Sequence, residues 1–202
     1  MKTEDKDSKW KLCNTYFTML NASNKNSINL EELSSKSKVS YDEATKIIPK
    51  NSLNNPIFFL KILIAKLDNE ALEEFKTDIF EDTISTTYDK ILEGLILRFE
   101  KLLEHRPALK IISEGSDRKA EIFFKLLRQN YYFMFNLLGL VENKQNCGLK
   151  IIKSVALNIV FVKGIDVFLK DKNNNLDSTL RYLDKHLKDI EDIGLFTGII
   201  TK

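Results

Sequence analysis

The chain has 202 residues, 43% of them apolar, and 31 Lys and Arg stand against 29 Asp and Glu for a formal charge of +2. This length and apolar content exclude a disordered chain and allow a buried core, while the near-balance of charge excludes a strongly basic stripe as the source of any nucleic-acid affinity. Two cysteines, Cys13 and Cys147, lie far apart without CxxC or Cys/His spacing, which excludes a disulfide scaffold and suits thiols in a reducing compartment.

Only 7 Gly and 3 Pro interrupt long runs of Leu, Ile, Lys, Glu and Phe, so the expected fold class is all-α, with about nine helices and no convincing strand. Residues 1–9 read as a charged tail without a basic segment leading into an apolar run, and the expected location is cytoplasmic. A first helix is expected over residues 6–22, where Trp10, Cys13, Phe17 and Leu20 recur at helical spacing. "NASNKNS" ends it. Asn29 then offers a cap for a second helix over residues 30–38, with Glu32 three positions on to reach back. Ser40 and Glu43 repeat the device in "SYDE", opening a third short helix that Pro49 stops. Asp42 and Glu43 fall in its first turn, where the partial positive charge of the helix end stabilises each by a few tenths to about 1 kcal/mol.

Asn55 and Pro56 open a long fourth helix, since proline's missing N–H costs nothing at the first helical position. Asp82 or Thr83 starts a fifth that buries Tyr88, Ile91, Leu92, Leu95, Phe99 and Leu102 and is closed by Pro107. "ALKIISE" forms a short sixth ending at Gly115, Ser116 caps a seventh to about residue 140, an eighth spans 146–169, and a ninth begins near Leu176 after the solvated "KDKNNN". The window 151–169 is long enough for a short membrane span, yet Lys153, Asn158, Lys163 and Asp166 interrupt it, so a buried bundle helix is expected and no membrane span. A composition shift near residues 50–56 divides the chain, there or within the fourth helix, into a three-helix domain, 1–52, and a larger helical domain, 53–202.

The stretch "INLEELSSKSKVSYDEATKIIPK" is similar to the helix-turn-helix of the TetR family of bacterial transcriptional regulators, with Leu33 inside the second helix, Val39 and Ser40 at the turn, and Ile48 and Pro49 at the close of the third. The order of helices resembles that family over most of the chain. The resemblance implies a DNA-binding head in which Ser40, Tyr41, Thr45 and Lys46 contact duplex DNA and Lys38 and Lys50 its phosphates, mounted on a body that dimerises and binds a small-molecule effector. This chain has Lys38 where the family usually has a turn glycine, and Thr45 where it usually has a phosphate-contacting tyrosine. Residues 28–50 hold four basic and four acidic residues, and since duplex affinity rests heavily on phosphate neutralisation, weak DNA binding is expected. The segments "LRFEKLLEHRPALKIISEGS" and "LRYLDKHLKDIEDIGLF" also resemble ubiquinone-biosynthesis accessory proteins of the same fold, which implies lipid or isoprenoid binding with DNA binding weakened or lost.

In the seventh helix "EIFFKLLRQNYYFMFNLLG" places Phe123, Phe124, Leu127, Tyr131, Phe135 and Leu138 on one broad apolar face, a pattern that core packing explains first. The resemblance makes this helix line an effector pocket with the fifth and eighth, so Phe99, Phe124, Leu127, Tyr131, Met134, Phe135 and Phe161 are candidates for contacting an apolar or lipid-like ligand. Leu176, Leu180, Leu183, Leu187 and Ile190 form a narrow seam on the ninth helix. It packs either on the eighth helix of the same chain or, as the resemblance implies, into a two-fold homodimer. No enzyme and no cofactor is expected. His105 and His186 have no metal partner at ligand spacing, and Glu73 with Glu74 and Asp189 with Asp192 read as solvated helix faces.

Overall fold

Helix starts in this chain are set by short polar side chains that take up the otherwise unpaired N–H groups of a first turn. The computed structural model describes residues 3–23, 28–50, 52–82, 84–115, 119–142, 147–172 and 175–196, and among these it contains nine α-helices and one 3-10 turn, with no strand. The helices are α1 (Thr3–Ser23), α2 (Leu30–Ser37), α3 (Tyr41–Ile47), α4 (Ile57–Glu81), α5 (Thr87–Leu103), α6 (Arg106–Gly115), α7 (Lys119–Val141), α8 (Cys147–Lys170) and α9 (Asp177–Phe196). Asn29 Oδ1 accepts the N–H of Glu31 at 2.9 Å, Ser40 Oγ that of Glu43 at 3.3 Å and Asn55 Oδ1 that of Ile57 at 3.1 Å. Glu32, expected to reach back toward the start of α2, pairs forward with Lys36 at 2.8 Å, as i and i+4 neighbours on a helix do.

Boundaries differ from the sequence expectation at α1, which begins at Thr3 within the stretch read as a charged tail, and at two later points. The start of α5 lies at Thr87, because Thr86 and Asp89 cap one another: Asp89 Oδ2 accepts the Thr86 N–H at 3.0 Å while Thr86 Oγ1 accepts the Asp89 N–H at 3.2 Å. Asp82 instead closes the preceding turn, accepting the N–H groups of Ile84 and Ser85 at 2.9 and 3.0 Å. Pro107 does not close α5. It sits second in α6, where a missing N–H is harmless. Ser116, the expected cap of α7, lies outside the described residues.

The chain divides into two units, Met1–Lys66 with Glu104–Leu126, and Leu67–Leu103 with Leu127–Lys202, so α4 and α7 each contribute to both. In the first, α1 packs on α2 and α6, and α2 on α3. Its core gathers Leu12, Cys13, Phe17, Leu20, Leu33, Ala44 and Phe59. The Tyr16 ring stacks on Phe59 at 3.9 Å between centroids, and the buried His105 presents its ring to Phe17 at 5.7 Å. In the second unit α9 lies along α8 and α5. Phe99 is the hub of its core, with centroids 4.7 Å from Phe161 and 5.3 Å from Phe168. Gly164 permits this approach, since a Cβ there would stand 3.3 Å from Phe99 Cζ and 3.6 Å from Leu183 Cδ2. Tyr88 ties α5 to α9 by donating its hydroxyl to Asp184 Oδ1 at 2.7 Å. Among the described residues no helix is long and apolar enough to cross a membrane.

Candidate functional site

The turn between α2 and α3 is built from hydrogen bonds that hide the serines and present the lysines. Ser34 Oγ donates to the Val39 carbonyl at 2.6 Å and Ser37 Oγ to the Ser34 carbonyl at 3.0 Å, both within buried surroundings. Lys38 adopts the left-handed conformation, φ 57° and ψ 30°, and its N–H reaches the Ser34 and Ser35 carbonyls. Lysine thus takes up a backbone geometry usually left to glycine, at a cost of about 1–2 kcal/mol. Of α3 only Ala44 is buried; Lys38, Ser40, Tyr41, Thr45, Lys46 and Lys50 are all exposed. Two of the six hydroxyl or amine groups are committed locally, because Ser40 caps α3 and Thr45 Oγ1 donates to the Asp42 carbonyl at 2.9 Å. Asp42 is exposed beside them and Lys36 is held by Glu32, so little uncompensated positive charge remains on this face.

A polar centre that the sequence reading did not single out lies in the core of the second unit. Arg98, on α5, is 1% exposed. Its Nε donates to Asp68 Oδ1 at 2.6 Å and its Nη2 to Asp68 Oδ2 at 3.0 Å and to Asn130 Oδ1 at 2.8 Å. Both carboxylate oxygens accept, the forked arrangement that guanidinium and carboxylate favour. Burial pushes the Asp68 carboxyl up, and the Arg98 guanidinium opposes that rise. The guanidinium carbon is 4.3 Å from the Phe133 ring centroid and 4.1 Å from that of Phe161, so its faces are covered by aromatic carbon. Nearby on α8, Asn158 donates Nδ2 to the Leu127 carbonyl at 3.2 Å. Arg98 Nη1, Asn158 Oδ1 and Thr179 Oγ1 are buried without a hydrogen-bond partner among the described residues. The signal for Arg98 was present: it occupies the buried stripe that Ile91, Leu95 and Leu102 trace on α5, a position where a lone arginine demands partners.

The candidate pocket residues separate into two groups. Phe99, Met134 and Phe161 are buried in the core of the second unit. Leu127, Tyr131 and Phe135 are half-buried, with the Tyr131 and Phe135 rings 6.0 Å apart and the Lys150 ammonium 4.0 Å from the Phe135 centroid. The side chains of Phe123 and Phe124 lie outside those described. Of the α9 seam, Leu176, Leu183 and Leu187 are buried within the chain itself, whereas Leu180 is 40% exposed and Ile190 half-buried. The seam is therefore largely consumed inside the subunit, because α9 must cover α8 and α5. A run of exposed apolar residues lies on α8, Ile151, Ile152, Val155 and Ile159, while Phe80, Ile84, Tyr41 and Tyr132 are exposed elsewhere.

Cys13 is buried, its Sγ donates to the Phe59 carbonyl at 3.3 Å, and burial pushes its thiol up to about 12. Cys147 is exposed. His186 Nδ1 is 3.1 Å from Asp189 Oδ2 on the same helix face. Among the described residues no three His, Cys, Asp or Glu side chains come together in a way that could hold a metal ion. Compared with known proteins, the chain matches no family model and no curated protein.

Proposed function

We propose that the chain is a TetR-like transcriptional regulator, with α1 to α3 as its DNA-binding head and the second unit as a dimerising body that takes an apolar effector. What carries this reading is the exposure of all six side chains expected to meet DNA, three on the short helix α3 and three in the segments that flank it, behind a two-serine, left-handed turn. In a two-fold dimer the paired heads would read half-sites about 34–36 Å apart, or a multiple of that. Since α4 and α7 belong to both units, a ligand that displaces them in the body would act on the head, and ligand and DNA affinities would be reciprocally coupled. The test is selection of bound genomic fragments followed by mobility shifts at two salt concentrations. Retention of one sequence over random DNA supports the regulator, and loss of all selection refutes it.

The dimer surface we assign to α8. Ile151, Ile152, Val155 and Ile159 form an apolar patch, and a two-fold axis near Val155 would set Ile151 against Ile159 of the second copy, a self-complementary arrangement. Light scattering at micromolar concentration should give twice the chain mass, and Val155→Glu should return it to the monomer; a monomeric parent protein would overturn the assignment.

One observation favours a second reading, a lipid-binding protein of the same fold with a vestigial head. The α3 face carries Asp42 and Glu43 and binds its own Ser40 and Thr45 hydroxyls, which leaves few groups for phosphate. Absence of DNA selection together with lipid extracted from the purified protein would favour it over the regulator.

A further inference from the structure

Three buried polar atoms in the second unit lack a hydrogen-bond partner among the described residues, and two of them, Arg98 Nη1 and Asn158 Oδ1, belong to side chains that bind the same helix, α7. Asn130, which holds Arg98, and Leu127, whose carbonyl holds Asn158, are one turn apart on α7. On α8, Asn158 and Phe161, the ring against the guanidinium, are again one turn apart. The side chains that carry the open donor Arg98 Nη1 and the open acceptor Asn158 Oδ1 thus bind neighbouring turns of α7. An unmet buried donor and an unmet buried acceptor are both strongly unfavourable, and native proteins fill such positions. Charge narrows what can fill them. Asp68 already neutralises Arg98, so a second anion would be a buried charge without a counterpart. Aromatic side chains adjoin the centre on α5, α7 and α8, with Phe133 and Phe161 on the guanidinium itself and Phe99 against Phe161.

We propose that the Arg98–Asn158 pair is the polar anchor of a ligand site for a neutral amphipathic molecule bearing one hydroxyl or ketone oxygen on an apolar or aromatic body. The oxygen accepts from Arg98 Nη1, and a hydroxyl also donates to Asn158 Oδ1. This rests on the apolar-effector reading of the body and specifies the ligand's polar end.

The experiment compares size-matched probes by isothermal titration calorimetry: butylbenzene, butyrophenone, 1-phenyl-1-butanol and 4-phenylbutanoate. The ketone and alcohol should bind about tenfold or more tightly than the hydrocarbon, as one hydrogen bond from a charged donor provides, and the carboxylate no more tightly than the hydrocarbon. Replacing the ion pair with apolar side chains, Arg98→Met with Asp68→Leu, should bring the ketone-to-hydrocarbon ratio to near one. Asn158→Leu, which leaves the ion pair in place, should abolish only the advantage of alcohol over ketone and keeps the test available should the double variant fail to fold. Equal binding of hydrocarbon, ketone and alcohol would leave the apolar-effector reading intact and overturn the anchor. Tightest binding of the carboxylate overturns the neutral-ligand assignment, and no binding of any probe overturns both the anchor and the effector reading beneath it.

Discussion

Removing Arg98 alone should be among the most damaging single changes in the chain. In Arg98→Met the Asp68 carboxylate, 10% exposed on its side chain, loses its two guanidinium hydrogen bonds at 2.6 and 3.0 Å and has no other cation to turn to in its bonding set. Stranding a buried charge in this way costs about 3–5 kcal/mol, against a total stability of about 5–15 kcal/mol for a domain of ordinary size. Adding Asp68→Leu should recover most of that loss, since replacing both members of a buried pair by apolar residues is often neutral or better. Urea titration followed by far-UV circular dichroism measures all four corners of the cycle. With a slope of about 1–3 kcal/mol per molar urea, the single variant's midpoint should fall by about 1 M or more. The pH dependence has a definite sign. Burial holds the Asp68 carboxyl of the folded protein above its unfolded value, and without Arg98 nothing opposes the rise. The protonated form then favours folding, so the deficit of Arg98→Met should shrink as pH falls from 7 toward the ordinary carboxylate range, about 4. A loss below about 1 kcal/mol, or a double variant no more stable than the single one, would refute the desolvated ion pair on which the reasoning stands.

Four further outcomes follow from particular contacts. Leu183→Ala should destabilise the chain by about 2–5 kcal/mol in urea titrations, whereas Leu180→Ala, at a 40% exposed position, should cost far less; equal losses would contradict the intramolecular seam. Lys38→Gly should raise stability by up to about 1 kcal/mol by relieving the left-handed backbone at φ 57°, measured in the same titration, and a loss would show that the lysine side chain contributes more than its strain. At pH 8 a chromogenic disulfide reagent should label Cys147 rapidly and Cys13 only after denaturation, because burial pushes the Cys13 thiol up to about 12; two fast thiols would mean that α1 opens readily. Asp82 is held down at about 2 by the N–H groups of Ser85 and Ile84, below an unfolded carboxylate at about 3.9. Its contribution is present above pH 4 and lost as pH falls toward 2, and Asp82→Asn should flatten the acid limb of the stability curve over that window.

The all-helical class, the short helices at the N-terminal end and their caps were legible because each depends on neighbours within one turn: Asn29, Ser40 and Asn55 each accept an N–H two or three residues on. Where two local devices competed, sequence was insufficient. Asp82 and Thr86 are both good caps, and the reciprocal bonds of Thr86 with Asp89 decided in favour of the second. The helical period likewise placed Phe99 on the buried face of α5, but only three-dimensional packing set Phe133 and Phe161 against Arg98. Arg98 finds Asp68 and Asn130 at separations of 30 and 32 residues on two other helices, and no periodicity reports such a meeting. The same holds for the leucine seam of α9. Spacing shows that a helix has a stripe to bury, but whether it meets its own α8 or a second chain depends on which surfaces the rest of the fold has already covered. Local hydrogen bonding and hydrophobic period act within a few residues and so are written in the sequence; the pairing of buried charges and the allocation of apolar faces are long-range, and they were decided by the tertiary structure.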